Sequence, residues 1–144
     1  MKKILYIILF FALLQNAYAQ SSARNGKDYA VFFYITEFEN AAWESLPETE
    51  REAKELGKEL KDNFGFEVYY VQSPTLKIMR EKLNEWNRRT YNPNDQLFLF
   101  FTMHGHYDDE AENGYLIPKD GDKSDFVTWL SYNDLRTYLA KKSM

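Results

Sequence analysis

The sequence predicts an α/β domain with a mostly parallel sheet and helices on both of its faces. Three largely apolar runs of strand length follow one another along the chain, the first of them uninterrupted, and an amphipathic helical pattern separates each run from the next. Uninterrupted apolar runs are typical of strands that are buried on both faces. A β-α-β-α-β order needs right-handed crossover helices, which cover the two faces of such a sheet.

The first part of this pattern contains two strands and one helix. The run YAVFFYI, residues 29–35, predicts the first strand, and FEVYYV, residues 66–71, predicts the second. A helix is predicted within residues 46–66, because Pro47 and several acids open it and Gly65 is placed to end it. Apolar residues recur at helical spacing between these ends, at Ala53, Leu56, Leu60 and Phe64.

The second part of the pattern adds a helix within residues 73–89 and a strand, QLFLFF, at residues 96–101. An acidic loop that contains glycine, the short apolar segment YLIP and a polar turn follow. The last predicted helix lies in residues 131–142, where Ser131 and Asp134 have capping-box spacing. The apolar stripe of the second helix consists of Leu76, Met79, Leu83 and Trp86.

The chain begins with a segment of a different kind. Residues 1–19 hold two lysines, an apolar run from Ile4 to Leu14 and small residues near their end. This pattern is typical of a secretory signal peptide, and the run is too short to span a membrane. We therefore expect an exported protein, periplasmic or extracellular, with a flexible lead-in at residues 20–27 and one domain at residues 28–144.

Composition limits the partners of this domain. The net charge is −4, and removal of the signal peptide also removes Lys2 and Lys3, so the mature protein is more acidic still. Without a basic cluster, neither nucleic acid nor an anionic membrane surface is expected as the main partner. The chain has no cysteine, so its core must hold the fold without disulfides.

The segment FLFFTMHGHYDDE, residues 98–110, contains the only two histidines of the chain, His104 and His106. His104 follows the third predicted strand, and open parallel sheets bind ligands at the carboxyl ends of their strands. Three interpretations are open from these residues alone. In the first, His104 only caps the strand through a hydrogen bond to a nearby backbone group.

The second interpretation is a metal site. His104, His106 and Asp108 have H-x-H-x-D spacing, and alternating residues of an extended segment point to one side. Two imidazoles and a carboxylate could then bind zinc. A catalytic zinc site of this type normally takes further histidines from later in the chain, and this sequence has none.

In the third interpretation, His104 is a general base and acid, and the N–H of Gly105 faces a developing oxyanion. Histidine suits this role because its ordinary pKa lies near neutral, so it can accept and return a proton in one cycle. Glycine suits the next position because a backbone without a Cβ can approach a substrate carbonyl closely.

The order of several sequence blocks resembles the caspase-like peptidase family, peptidase C14 type, and above all the large-subunit domain of metacaspases and paracaspases. YAVFFYI resembles its first strand, and LPETEREAKELGKEL resembles a helix opened by a leucine-proline turn. FGFEVYYVQSPTLKIMREKLNEW resembles the following strand-helix block, and LFLFFTMHGHYDDEAENGYLIPKD resembles the strand that ends in a Ser-Gly-His-Gly type motif. The resemblance covers residues 29–142 and implies a three-layer caspase-like fold, incomplete at its C-terminal end.

The resemblance also implies roles for individual residues. It makes His104 the catalytic histidine and Gly105 the oxyanion-hole donor. Thr102 stands where the family often has a serine that lines the primary specificity pocket, and Met103 replaces a common glycine. Glu52 matches the helix acid that helps to bind a basic P1 side chain, although aspartate is usual; a solvated helix acid is its other interpretation. A peptide or protein is the implied substrate.

The sequence departs from the family in one major respect. In the family the nucleophilic cysteine follows the strand after the last helix predicted here, and this chain has no cysteine. Without a thiol no acyl-enzyme forms by the family route, so the chain as written is expected to be inactive. No cofactor is predicted, because the acids after His106 lack the ligand spacing of the calcium sites that some metacaspases have.

The main interpretation is therefore the amino-terminal part of an exported cysteine-type endopeptidase, truncated before its nucleophile. A C-terminal continuation or a small-subunit-like segment would complete the sheet. One alternative is a non-catalytic pseudoenzyme that binds peptides or a partner. Another is a metal-dependent hydrolase that uses His104, His106 and Asp108.

Overall fold

The computed structural model describes residues 25–140, which form a three-layer α/β arrangement. The strand β1 (Asp28–Tyr34) lies between β2 (Glu67–Gln72) and β3 (Gln96–Thr102) in a parallel sheet of order β2-β1-β3. The three strands predicted from the apolar runs are confirmed to within one residue at each end. The predicted signal peptide lies outside the described residues.

Helices cover both faces of this sheet, as predicted. The helix α1 (Glu48–Phe64) packs on one face, where its apolar side chains meet Ala30, Phe32 and Tyr34. The helices α2 (Leu76–Asn87) and α3 (Tyr132–Leu139) pack on the other face, against a cluster that includes Tyr29, Val31 and Phe33. Because β1 has a strand on each edge and helices on each face, residues 29–35 are at most 5% exposed.

The helix ends follow the signals in the sequence. Gly65 has a φ of 74°, and its N–H donates to the carbonyls that α1 leaves unpaired at its C-terminus. The side chain of Thr75 accepts a hydrogen bond from Ile78 N at the start of α2. Ser131 caps α3 by accepting from Asp134 N, as the spacing of these two residues predicts.

A second, antiparallel sheet follows β3 and consists of β4 (Gly105–Asp108), β5 (Asn113–Leu116) and β6 (Leu130–Ser131), in the order β4-β5-β6. The prediction of a loop directly after β3 is therefore wrong for residues 105–108. β4 is short and lies at the edge of its sheet, so its side chains are mostly exposed. It consequently lacks the apolar pattern by which a strand is recognised in a sequence.

The parallel sheet has open edges within residues 25–140. In this part of the chain β3 pairs only with β1, and β2 likewise pairs only with β1. The backbone groups on the outer side of β3 therefore have no strand partner among the described residues.

Within residues 25–140, none of the helices has the length and apolar character needed to cross a membrane.

Candidate active site

His104 lies between the two sheets, two residues after β3 ends and directly before β4 begins. Its Nε2 is 2.8 Å from the backbone oxygen of Glu44, in the segment that joins β1 to α1. A carbonyl oxygen only accepts, so Nε2 carries the proton and donates. In the neutral ring Nδ1 therefore keeps a free lone pair, and within residues 25–140 no protein group bonds to it.

Two aromatic rings fix the plane of the His104 imidazole. The ring of Phe38 lies 5.1 Å from the imidazole and that of Trp43 lies 5.5 Å from it, each tilted by 31°. Phe38 and Trp43 also contact each other, at 6.2 Å between ring centroids. The three rings form one compact cluster, so His104 is half-buried and held against an apolar wall.

Gly105 presents its N–H away from the antiparallel sheet. Ile117 N donates to His104 O at 3.0 Å, and Gly105 is paired with Leu116. Hydrogen-bonded and non-hydrogen-bonded pairs alternate in an antiparallel ladder, so the Gly105–Leu116 pair is of the non-hydrogen-bonded kind. The Gly105 N–H therefore points to the outer side of β4, where it is available to an oxyanion.

A cavity of about 390 Å³ opens beside His104. The start of α1, residues 45–49 and Glu52, forms one wall, and Thr102, Met103 and His104 form the other. The structure thus brings Glu52, Thr102 and His104, which the sequence analysis proposed for one site, around a single cavity. Its size is in the range of small-ligand and side-chain pockets.

Among the carboxylates of this cavity, Glu52 is the one that has no ion-pair partner within residues 25–140. Glu48 also lines the cavity, but its carboxylate accepts a hydrogen bond from Arg51 at 2.9 Å. The same guanidinium binds Glu55 at 3.2 Å, outside the cavity. Glu52 has no ion-pair partner within the described part of the chain and is exposed, so it can receive a cation.

Two threonines fix the walls of the cavity. Thr102 is the last residue of β3, and its backbone oxygen accepts from Ile35 N at 3.2 Å. Thr49 is only 6% exposed, and its hydroxyl is 2.8 Å from both Ile35 O and Leu46 O. Thr49 therefore ties the start of α1 to the carboxyl end of β1, which sets the position of Glu52 one turn later.

His106 and Asp108 take no part in this cavity. The His106 ring stacks on Phe126 at 5.7 Å and meets Trp129 edge-on at 5.3 Å. Asp108 Oδ1 accepts from Glu110 N and Ala111 N and so closes the β4–β5 turn. The structure does not bring the H-x-H-x-D residues together, and residues 25–140 contain no group of three His, Cys, Asp or Glu side chains placed to hold a metal.

A cavity of about 420 Å³ lies at the opposite end of β3. It is bounded by the end of α2, by residues 89–93 and by Leu97, Leu99 and Tyr138. Most of these side chains are apolar, and none of the residues proposed for the site lines it. The carboxyl end of β3, where His104 lies, is the end at which parallel sheets place their chemistry.

The residues that orient His104 were not identified from the sequence. Glu44 acts through its backbone oxygen, which every residue type has, so no sequence signal marks it. Phe38 and Trp43 lie in a segment without a periodic pattern, and their contacts join it to the end of β3. The one available signal was the presence of two large aromatic residues in a polar connection that directly follows a buried strand.

The fold agrees with a comparison of the sequence with known families. The family model for the caspase domain of peptidase family C14 matches residues 27–143. The chain therefore belongs to the caspase-domain family, a family of peptidases. No curated protein matches the sequence.

Proposed function

We propose that this domain is the histidine-bearing part of an exported cysteine-type endopeptidase. His104 is the general base and acid of a Cys-His dyad, and the thiol comes from outside these 144 residues, which contain no cysteine. The hydrogen bond from His104 Nε2 to Glu44 O carries this proposal. It leaves Nδ1 as the ring nitrogen that accepts a proton, which is what a dyad requires of its histidine.

In this mechanism Nδ1 takes the thiol proton, and the thiolate attacks the carbonyl carbon of the scissile peptide bond. The negative charge that develops on the carbonyl oxygen is stabilised by the N–H of Gly105, which points away from β5. The imidazolium then gives its proton to the leaving amine. Water, deprotonated by the neutral imidazole, hydrolyses the thioester and restores the thiol.

The open edge of β3 offers a place for the segment that carries the thiol. β3 ends at Thr102, two residues before His104, and its outer edge has no strand within residues 25–140. A strand added here in parallel would end on the same side as His104. A C-terminal continuation or a small-subunit-like segment at this edge would therefore deliver a cysteine to Nδ1 and would also pair the open backbone groups.

Glu52 supports a preference for a basic P1 side chain, arginine or lysine. It is the carboxylate of the cavity that no described cation pairs with, and Thr102 lines the same cavity. A charged hydrogen bond at this exposed site is worth about 1 kcal/mol, or roughly fivefold in specificity. Glu52→Gln should lower kcat/KM about fivefold for arginine at P1, and Glu55→Gln, outside the cavity, is the matched control.

Export is part of the proposal. Residues 1–19 have the order of charged, apolar and small residues that a secretory signal peptide has, which supports a periplasmic or extracellular location. Amino-terminal sequencing of the protein recovered from its source cells tests this. A mature amino terminus at Gln20 supports export, and a protein that retains residues 1–19 in the cytoplasm contradicts it.

The test of the peptidase uses the protein made from its natural gene and purified from its source. Peptide amides with arginine or lysine at P1 should be cleaved, and His104→Ala should abolish cleavage. His106→Ala is the control, because His106 is the only other histidine and its ring lies on Phe126 and Trp129. Equal loss in both variants, or full activity of the His104 variant, rules out the dyad.

The absence of cysteine from the 144 residues favours a second candidate, a caspase-like module that binds peptides without cleaving them. The cavity, Glu52 and Gly105 would serve such a module equally well. It predicts that residues 20–144 bind peptides with a basic P1 residue and are stabilised by them, with the bound peptide recovered intact. A melting temperature unchanged by such peptides at millimolar concentration counts against it.

A further inference from the structure

The segment that carries Glu44 is held in place by a turn far from it in the sequence. Residues 35–47 connect β1 to α1, and residues 117–123 follow β5. Three hydrogen bonds join the two segments, from Glu39 N to Lys119 O at 2.9 Å, from Trp43 Nε1 to Gly121 O at 2.9 Å, and from the Lys123 ammonium to Ala42 O at 3.2 Å.

Trp43 is the part of this junction that also reaches the imidazole. Its indole N–H binds Gly121 O, and its ring lies 5.5 Å from the His104 ring. The Lys123 ammonium lies 5.1 Å from the same indole ring. Trp43 directly precedes Glu44, so fixing the indole restricts the backbone of the next residue, whose carbonyl oxygen accepts the His104 Nε2–H bond.

We propose that Trp43 is a positioning residue for His104. By binding Gly121 O with its indole nitrogen and the imidazole with its ring, it keeps the Glu44 oxygen on Nε2 and so keeps Nδ1 open. The catalytic meaning of this role rests on the proposed peptidase function, but the geometry does not depend on a thiol. Two carboxylates, those of Glu48 and Glu52, line the same cavity as His104. Both lie on α1, and none of the variants below changes them.

Trp129 provides a matched control in the same region. Its indole nitrogen donates to Asp122 O at 2.8 Å, one residue from the oxygen that Trp43 binds. Its ring contacts Trp43 edge-on at 5.8 Å, but it has no ring contact with His104. Trp129→Phe therefore removes a hydrogen bond of the same kind to the neighbouring carbonyl and keeps the junction at Glu44 and His104.

The test follows the His104 Nε2–H proton by NMR in residues 20–144 labelled with ¹⁵N-histidine, with His106→Gln used to assign the signal. In the unsubstituted protein we expect a slowly exchanging Nε2–H. Trp43→Phe keeps a ring beside the imidazole but loses the bond to Gly121 O, so exchange should become about tenfold faster. Trp129→Phe should change it less than twofold, and melting temperatures of both variants show that they are folded.

Equal exchange rates in Trp43→Phe and Trp129→Phe, or a rate in Trp43→Phe like that of the unsubstituted protein, would overturn the positioning role. Phe38→Ala is the second variant, since it opens the imidazole to water and leaves the Trp43 bond to Gly121 in place. It should change exchange less than Trp43→Phe does. The exchange measurement reads a resonance of His104, so a negative result there refutes only the positioning role of Trp43. A negative result in the cleavage assay refutes only the proposed peptidase function.

Discussion

Replacing Thr49 by valine tests how the start of α1 is attached to the sheet. The Thr49 hydroxyl is 2.8 Å from Ile35 O and from Leu46 O, and Thr49 is only 6% exposed. Leu46 O also accepts from Thr49 N at 3.2 Å and stays paired in the variant. Ile35 O loses its bond from the hydroxyl, and Ile35 is fully buried. Valine keeps the shape, so the cost is that of the hydrogen bond, about 1–2 kcal/mol.

Urea and thermal unfolding of residues 20–144 measure this cost. For a domain of this size, 1–2 kcal/mol lowers the melting temperature by about 4–10 °C. Thr137→Val is the control, because within the described residues its hydroxyl bonds only Asn133 O, on the exposed side of α3. That change should stay within about 0.5 kcal/mol. If the two variants lose equal stability, Thr49 does not anchor α1 and the wall of the cavity is held by other contacts.

Three further predictions concern the core, the oxyanion donor and acid stability. Met79→Ala should lower the free energy of urea unfolding by about 2–5 kcal/mol, because Met79 is fully buried. Ile78, which is 41% exposed, is the control, and Ile78→Ala should lower it by less than about 1 kcal/mol. Similar losses in the two variants would contradict the packing of α2. Gly105→Ala should keep the melting temperature, since a Cβ there lies 3.4 Å from its nearest neighbour. Alanine keeps the backbone N–H, but its Cβ hinders the close approach of the substrate carbonyl, so peptide cleavage by the native enzyme should fall at least tenfold. Full cleavage would show that the substrate does not need a backbone without a Cβ at residue 105. Hydrogen bonds from the backbone N–H groups of Lys27 and Asn92 lower the pKa of Asp95. The Asp95 carboxylate therefore stabilises the fold above about pH 4, and this stabilisation is lost as the pH falls through the lowered pKa. Asp95→Asn should therefore lower the urea midpoint at pH 7 and match the unsubstituted protein near pH 2; an equal deficit at both pH values would refute this assignment.

The parallel sheet and its helices were predictable because their signals are local. Continuous apolar runs marked β1 and β3, and Gly65 marked the end of α1, where it adopts a left-handed φ. β4 was not predictable, because a four-residue edge strand with exposed side chains has the composition of a loop. Only its pairing with β5 makes it a strand.

The candidate site was predictable only in part, for a related reason. His104 is marked by its residue type and by its place after a strand, whereas Thr102 and Glu52 were indicated only by the resemblance to the caspase-like family. All three line one cavity. The Glu44 carbonyl and the indole of Trp43 act through long-range contacts. Glu44 is separated from His104 by 60 residues and Trp43 from Gly121 by 78, so their roles require the folded chain.

Thiol labelling tests whether His104 serves a thiol from outside these 144 residues. The native protein is purified from its source, treated with an arginyl peptide that carries a thiol-reactive electrophile, and analysed by intact mass and peptide mapping. We expect a labelled cysteine, either in a polypeptide that continues past Met144 or in a tightly bound partner chain, and loss of labelling in His104→Ala. A native protein whose mass ends at Met144, with no labelled partner, would contradict it.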